Sequence, residues 1–114
     1  MMKNKSEHDI QNEIMLAVSQ NACSIIRINV GKFKLPDGRW FTTGAPKGHP
    51  DLYGFRWSDT KIFYIEVKAK NGKPSDDQVR FHNFLQSHKV IHGIARSSED
   101  AIKIIKGGLV GYGY

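Results

Sequence analysis

Ile62-Phe63-Tyr64-Ile65-Glu66-Val67-Lys68 is the stretch on which the reading of this chain turns. Its first four residues are apolar without a break, the pattern of a central strand covered on both faces. Charges at the end of such a strand are costly unless they are paired or bound to a metal, so Glu66 and Lys68 stand out. They lie two residues apart and project from the same face of the strand. Upstream, Gly48-His49-Pro50-Asp51 leads into Leu52-Tyr53-Gly54-Phe55, a second apolar strand with Asp51 at its mouth. The turn at Ser58-Asp59-Thr60 folds this strand back on the first and brings Asp51 towards Glu66. Two carboxylates so placed can hold one hard divalent cation, leaving positions for water and a phosphate oxygen. A lysine beside them can orient the attacking water or stabilise charge developing on the phosphate. The chemistry implied is metal-dependent cleavage of a phosphodiester.

A second Pro-Asp pair competes for the metal role. In Pro36-Asp37-Gly38 the proline and glycine are placed for a tight hairpin turn, so Asp37 is expected at a turn tip and Asp51 is preferred. Working outward, Ser6 to about Gln20 reads as a helix with Ser6 as N-cap, Asp9 at N3, and Ile10, Ile14, Ala17 and Val18 on one face. Ser24 to Val30 reads as a strand with Ile26, Ile28 and Val30 on one side. A hairpin follows, returning through Arg39 to Thr43, then a loop from Gly44 to Pro50 and strands at Leu52–Trp57 and Ile62–Lys68. Lys70 to Pro74 is a loop, Ser75 to about Ser87 a helix, Val90 to Ala95 a strand and Ser98 to Lys106 a helix. The order is α-β-β-β-α-β-α, with no repeat or linker. One domain over 1–114 is expected, its core at about 6–106, with a flexible glycine-rich tail from Gly107 to Tyr114 suited to covering a neighbouring surface.

Seventeen Lys and Arg against eleven Asp and Glu give a net charge of +6, a balance that attracts polyanions. Lys47, His49, Lys70 and Lys73 flank the expected site, and Lys32, Lys34 and Arg39 belong to the hairpin; these are the candidate DNA contacts. Trp40 and Phe41 in the same hairpin could stack on a base or pack in an interface. Cys23 is the only cysteine, and the five histidines lack zinc-ligand spacing. No apolar run approaches membrane-spanning length and the first residues are polar, so neither secretion nor membrane insertion is expected. A reducing cytoplasmic setting is the simplest expectation.

The motifs together resemble the PD-(D/E)XK nuclease superfamily and, within it, the VRR-NUC domain. The resemblance is carried by Ser6-Glu7-His8-Asp9-Ile10-Gln11, Gly48-His49-Pro50-Asp51-Leu52, Ile65-Glu66-Val67-Lys68 and Ser75-Asp76-Asp77-Gln78, and it covers roughly residues 6–95. It implies a restriction-endonuclease-like α/β fold, an α-β-β-β-α-β core with a small central mixed sheet flanked by helices. It implies Mg2+-dependent cleavage of DNA, with Mn2+ as a substitute and no small-molecule cofactor. The chain resembles the standalone bacterial and phage members, which implies a homodimer acting on branched DNA such as four-way junctions. Flap or nicking activity, or a DNA-binding subunit whose cleavage needs a partner, are the rival expectations. The resemblance also adds Glu7 as a supporting group of the metal site, the Val67 carbonyl as a metal ligand, and Gln78 as a polar positioning group. The two side chains have ordinary alternatives: Glu7 suits a first helical turn, and Ser75-x-x-Gln78 is itself a capping box.

Overall fold

The computed structural model describes residues 4–28, 32–42 and 44–114. Helix α1 (Glu7–Ser19) opens on a capping box, with the Ser6 hydroxyl accepting from the Asp9 amide and the Asp9 carboxylate accepting from the Ser6 amide. Ile10, Ile14 and Val18 form its buried stripe. Strand β1 (Cys23–Arg27) follows, then a separate antiparallel hairpin of β2 (Lys32–Lys34) and β3 (Trp40–Thr42). Next come β4 (Leu52–Arg56), β5 (Ile62–Val67), α2 (Asp76–Ser87), β6 (Ile91–Ala95), α3 (Ser98–Gly107) and β7 (Val110–Tyr112).

Five strands make one mixed sheet in the order β1-β4-β5-β6-β7. The first three pair antiparallel and the last three parallel. β5 is therefore the central strand, as its unbroken apolar run requires. Phe63, Ile65 and Val67 point to one face and join Ile91, Ala95 and the helix residues Ile14, Ala101, Ile104 and Ile105 in the main core. Tyr64 and Glu66 point to the other face, together with His92 from β6, whose register pairs it with Tyr64. Helix α2 lies on that side, over β6 and β7.

The structure decides which face of β1 is inner, and it corrects one expectation. On β1 the inner residues are Cys23, which is buried, and Ile25, which packs on the core, whereas Ile26 is 49% exposed. Helix α1 covers the odd-numbered face of this strand, and α2 sits too far along the sheet to cover the other. Val30 and Thr43, the expected strand ends, lie outside the described residues. The glycine-rich tail is not a loose segment. Val110 to Tyr112 pair in parallel with β6, and Tyr112 packs against the main core. Gly111, at φ +88°, lies so close to His82 and Gln86 of α2 that a Cβ would overlap them. Its glycines are there for close packing.

Candidate active site

Pairing of β4 with β5 runs from Phe55 opposite Ile62 to Leu52 opposite Ile65. One residue before that ladder begins, the Asp51 side chain takes over: its Oδ2 accepts from the Val67 amide at 2.9 Å. The Asp51 carbonyl meanwhile accepts from the Ile28 amide at 2.9 Å. The carboxylate is thus pinned at the end of β5, beside Glu66. Glu66 is only 2% exposed. Its Oε1 accepts from Gln78 Nε2 at 2.9 Å and lies 4.0 Å from Lys68 Nζ. Its Oε2 is buried and has no hydrogen-bond partner among the described residues. Burial foremost, then the adjacent Asp51 carboxylate and more weakly Glu7, push the Glu66 carboxyl up to about 9, against the pull of Lys68. Two carboxylates in this relation cannot both stay ionised cheaply; they share a proton or take a cation.

The structure brings Asp51, Glu66, Lys68 and Gln78 together. Glu7 stands further out, on the first turn of α1, with Gly72 between it and Lys68. A Cβ on Gly72 would lie 3.4 Å from Lys68 Cδ and 3.5 Å from Glu7 Oε1. Among the described residues, no group of three or more Asp, Glu, His or Cys side chains gathers closely enough to hold a metal. The acidic centre is the pair, with Glu7 at its margin. Gln78 makes two contacts at once. Its Oε1 closes the capping box by accepting from the Ser75 amide, while its Nε2 reaches Glu66. Gly48 explains the loop before Asp51: its φ is +87°, and a Cβ would drive into the Asp77 carbonyl at the start of α2.

The expected DNA contacts divide. Lys70 and Lys73 are exposed on the loop between β5 and α2, and Lys32 and Lys34 are exposed on β2. Lys47 is exposed too but lies 3.4 Å from Asp77 Oδ2, an acid also paired with Arg80. Arg39 pairs with Asp37 at 2.7 Å within the hairpin turn, so Asp37 has a local structural role. His49 is half-buried, edge-on to Tyr53, Tyr64 and Phe81 at ring-centroid distances of 6.4, 5.5 and 5.1 Å. That packing braces the loop that carries Asp51.

Three side chains near the acidic pair were not read from the sequence as belonging there. His82, one turn along α2 from Gln78, lies with its Nδ1 2.8 Å from His92 Nε2. The Tyr114 ring stacks on His82 at 3.9 Å with an interplanar angle of 9°. Burial, and then the charges of Glu66 and Asp51, hold the Tyr114 phenol protonated well above its ordinary range. The period-two spacing of Val110, Tyr112 and Tyr114 was the available signal for a strand, masked by the glycines between them.

A family model described as the VRR-NUC domain matches residues 5–99. The chain belongs to the VRR-NUC family. A solved structure described as a VRR_NUC domain aligns over 90% of this chain and 97% of that one, with a TM-score of 0.64 and 19% sequence identity, which is a likeness of fold. No curated protein matches the chain. VRR-NUC membership makes this a nuclease-type domain, on the restriction-endonuclease-like fold, with DNA as the substrate such a domain implies. Glu7, Asp51, Glu66, Lys68 and Gln78 all fall within the VRR-NUC match; β7 and Tyr114 lie beyond it. Among the described residues no helix is long and apolar enough to cross a membrane.

Proposed function

We propose that this VRR-NUC chain is a Mg2+-dependent endodeoxyribonuclease, with Mn2+ able to substitute, that cuts branched DNA such as four-way junctions as a homodimer. The observation that carries the reading is Glu66: buried against Asp51, held on one oxygen by Gln78, and left with a second buried oxygen that no described residue satisfies. Such a donor set suits a hard divalent cation, which Asp51, Glu66 and the Val67 carbonyl would hold, with Glu7 supporting it directly or through water. When bound, that cation supplies Lewis acidity and a more acidic attacking water.

The remaining work falls to the protein's own groups. The Val67 amide and Gln78 fix how the two carboxylates face each other. Lys68, largely buried beside Glu66, keeps a positive charge where an incoming phosphate gains negative charge during hydrolysis. Lys70 and Lys73 offer their charges to the backbone on either side. A four-way junction has approximate two-fold symmetry, and two copies of one small active site match it.

The test incubates purified protein with a four-way junction, a flap and a plain duplex, each with Mg2+, Mn2+, Ca2+ or chelator. Junction cleavage is expected with the first two ions, binding without cleavage in Ca2+, and no cleavage in chelator. Asp51→Ala and Lys68→Ala should each abolish cleavage, and Asp37→Ala should cut normally. Cleavage that persists in chelator, or activity in Asp51→Ala, overturns the metal-site reading. Equal cutting of all three substrates overturns the junction preference.

A further inference from the structure

Residues 109–114 do more than close the sheet edge. Gly113 packs on Ile94, where a Cβ would lie 3.1 Å from the Ile94 Cβ, and Ile94 is the register partner of Glu66. The chain therefore reaches the level of the acidic pair just before Tyr114. The Tyr114 amide donates to the Gly111 carbonyl at 3.3 Å, closing a turn, and the ring lies on His82, on the α2 side of the sheet.

The platform beneath that ring is built from fixed tautomers. His92 Nδ1 is 2.7 Å from the Val90 carbonyl, which can only accept, so Nδ1 carries the proton. His92 Nε2 must then accept, and His82 Nδ1 donates to it at 2.8 Å. Burial lowers the proton affinity of both rings, which keeps them neutral and the chain of donors intact. His82 is thereby locked in orientation, and it follows by one helical turn the Gln78 that holds Glu66. Two histidines and a carbonyl are thus spent on seating one tyrosine. Its hydroxyl has no hydrogen-bond partner among the described residues, and 36% of the residue stays exposed.

We propose that Tyr114 is a catalytic residue whose hydroxyl donates a hydrogen bond to a non-bridging oxygen of the scissile phosphate. The inference rests on the nuclease reading above. Burial foremost, and then the neighbouring Glu66 and Asp51, keep the phenol protonated, so it serves as a donor and not as a nucleophile.

Tyr114→Phe keeps the stack on His82 and removes only the hydroxyl. Single-turnover cleavage of the four-way junction in Mg2+ should slow by about 100-fold, as for loss of one transition-state donor. Junction affinity in Ca2+ and the thermal midpoint should match wild type. A substrate with sulfur in place of one non-bridging oxygen at the cut should be penalised in wild type, and the penalty for one of the two isomers should disappear in Tyr114→Phe. A wild-type rate in Tyr114→Phe, or identical sulfur penalties in both proteins, overturns the proposal while Glu66→Gln, inactive in the same assay, leaves the nuclease reading standing. An inactive wild type, or an active Glu66→Gln, removes that reading and this proposal with it.

Discussion

Glu66 concentrates the physics of the site in one side chain. Its carboxyl is raised from the ordinary value of 4.5 to about 9, chiefly by burial and by Asp51. Folding the metal-free chain therefore takes up a proton between those values. The resulting stabilisation is complete below the lower one and is lost as pH rises through the upper one. Urea unfolding of metal-free protein should show stability falling steadily from about pH 5 to about pH 9. Glu66→Gln removes the titrating group and should flatten that fall. Mg2+ added in mildly alkaline buffer should stabilise wild type and leave Glu66→Gln unmoved. A wild-type profile that rises with pH would contradict the buried, protonated pair. The sequence pointed to Glu66 through its place at the end of an apolar strand. It held no sign that one oxygen would be left without a partner, because that depends on α2 delivering a single amide donor and no second.

Helix α2 shows how one element serves stability and chemistry at once. Its capping box satisfies first-turn amides through Ser75, and the same Gln78 amide group extends from the cap to Glu66. The two functions are separable. Ser75→Ala should cost about 1 kcal/mol of stability and leave the cleavage rate per folded molecule unchanged. Gln78→Glu keeps an acceptor for the Ser75 amide but puts a carboxylate where Glu66 had a donor. Cleavage and Mg2+ affinity should both fall by at least about tenfold, the effect typical of losing a group that orients a metal ligand, while helix content by circular dichroism is retained. Unchanged cleavage in Gln78→Glu would reduce Gln78 to its capping role. From sequence the two readings looked like alternatives. An amide has both an acceptor and a donor, and the approach of α2 to β5 lets one side chain use both.

Across the whole molecule, apolar surface is distributed unevenly. The tail, expected to be free for an interface, is spent on the sheet as β7, so the hairpin becomes the stronger interface candidate. Trp40 is 66% exposed, and Phe33 and Phe41 are about half exposed with their rings 5.0 Å apart. Phe33 and Phe41 share one face of the hairpin and Trp40 lies on the other, and exposed aromatic residues of this kind favour burial against a partner. Trp40→Ser with Phe41→Ser should convert a dimer to a monomer in light scattering at micromolar concentration, with little change in the thermal midpoint. Deleting residues 110–114 should do the reverse, lowering stability by exposing the edge of β6 and uncovering His82. A dimer that survives the hairpin substitutions would place the interface elsewhere.

What the sequence determined by itself was set over short distances. Capping boxes at Ser6 and Ser75, the unbroken apolar run of β5, the hairpin turn at Pro36 to Gly38 and the shared face of Glu66 and Lys68 all follow from neighbours within a helical turn or a strand pleat. Tertiary structure decided what covers each face. Ile26 and Ile25 have similar local patterns, yet α1 shields only one of them. His82 and His92 look unrelated until α2 is laid across β6, and Tyr114 looks like a flexible end until Gly111 and Gly113 let the backbone pack against α2 and Ile94. Periodicity fixes the direction in which a side chain points; burial, and with it charge state and partners, belongs to whichever distant element arrives there.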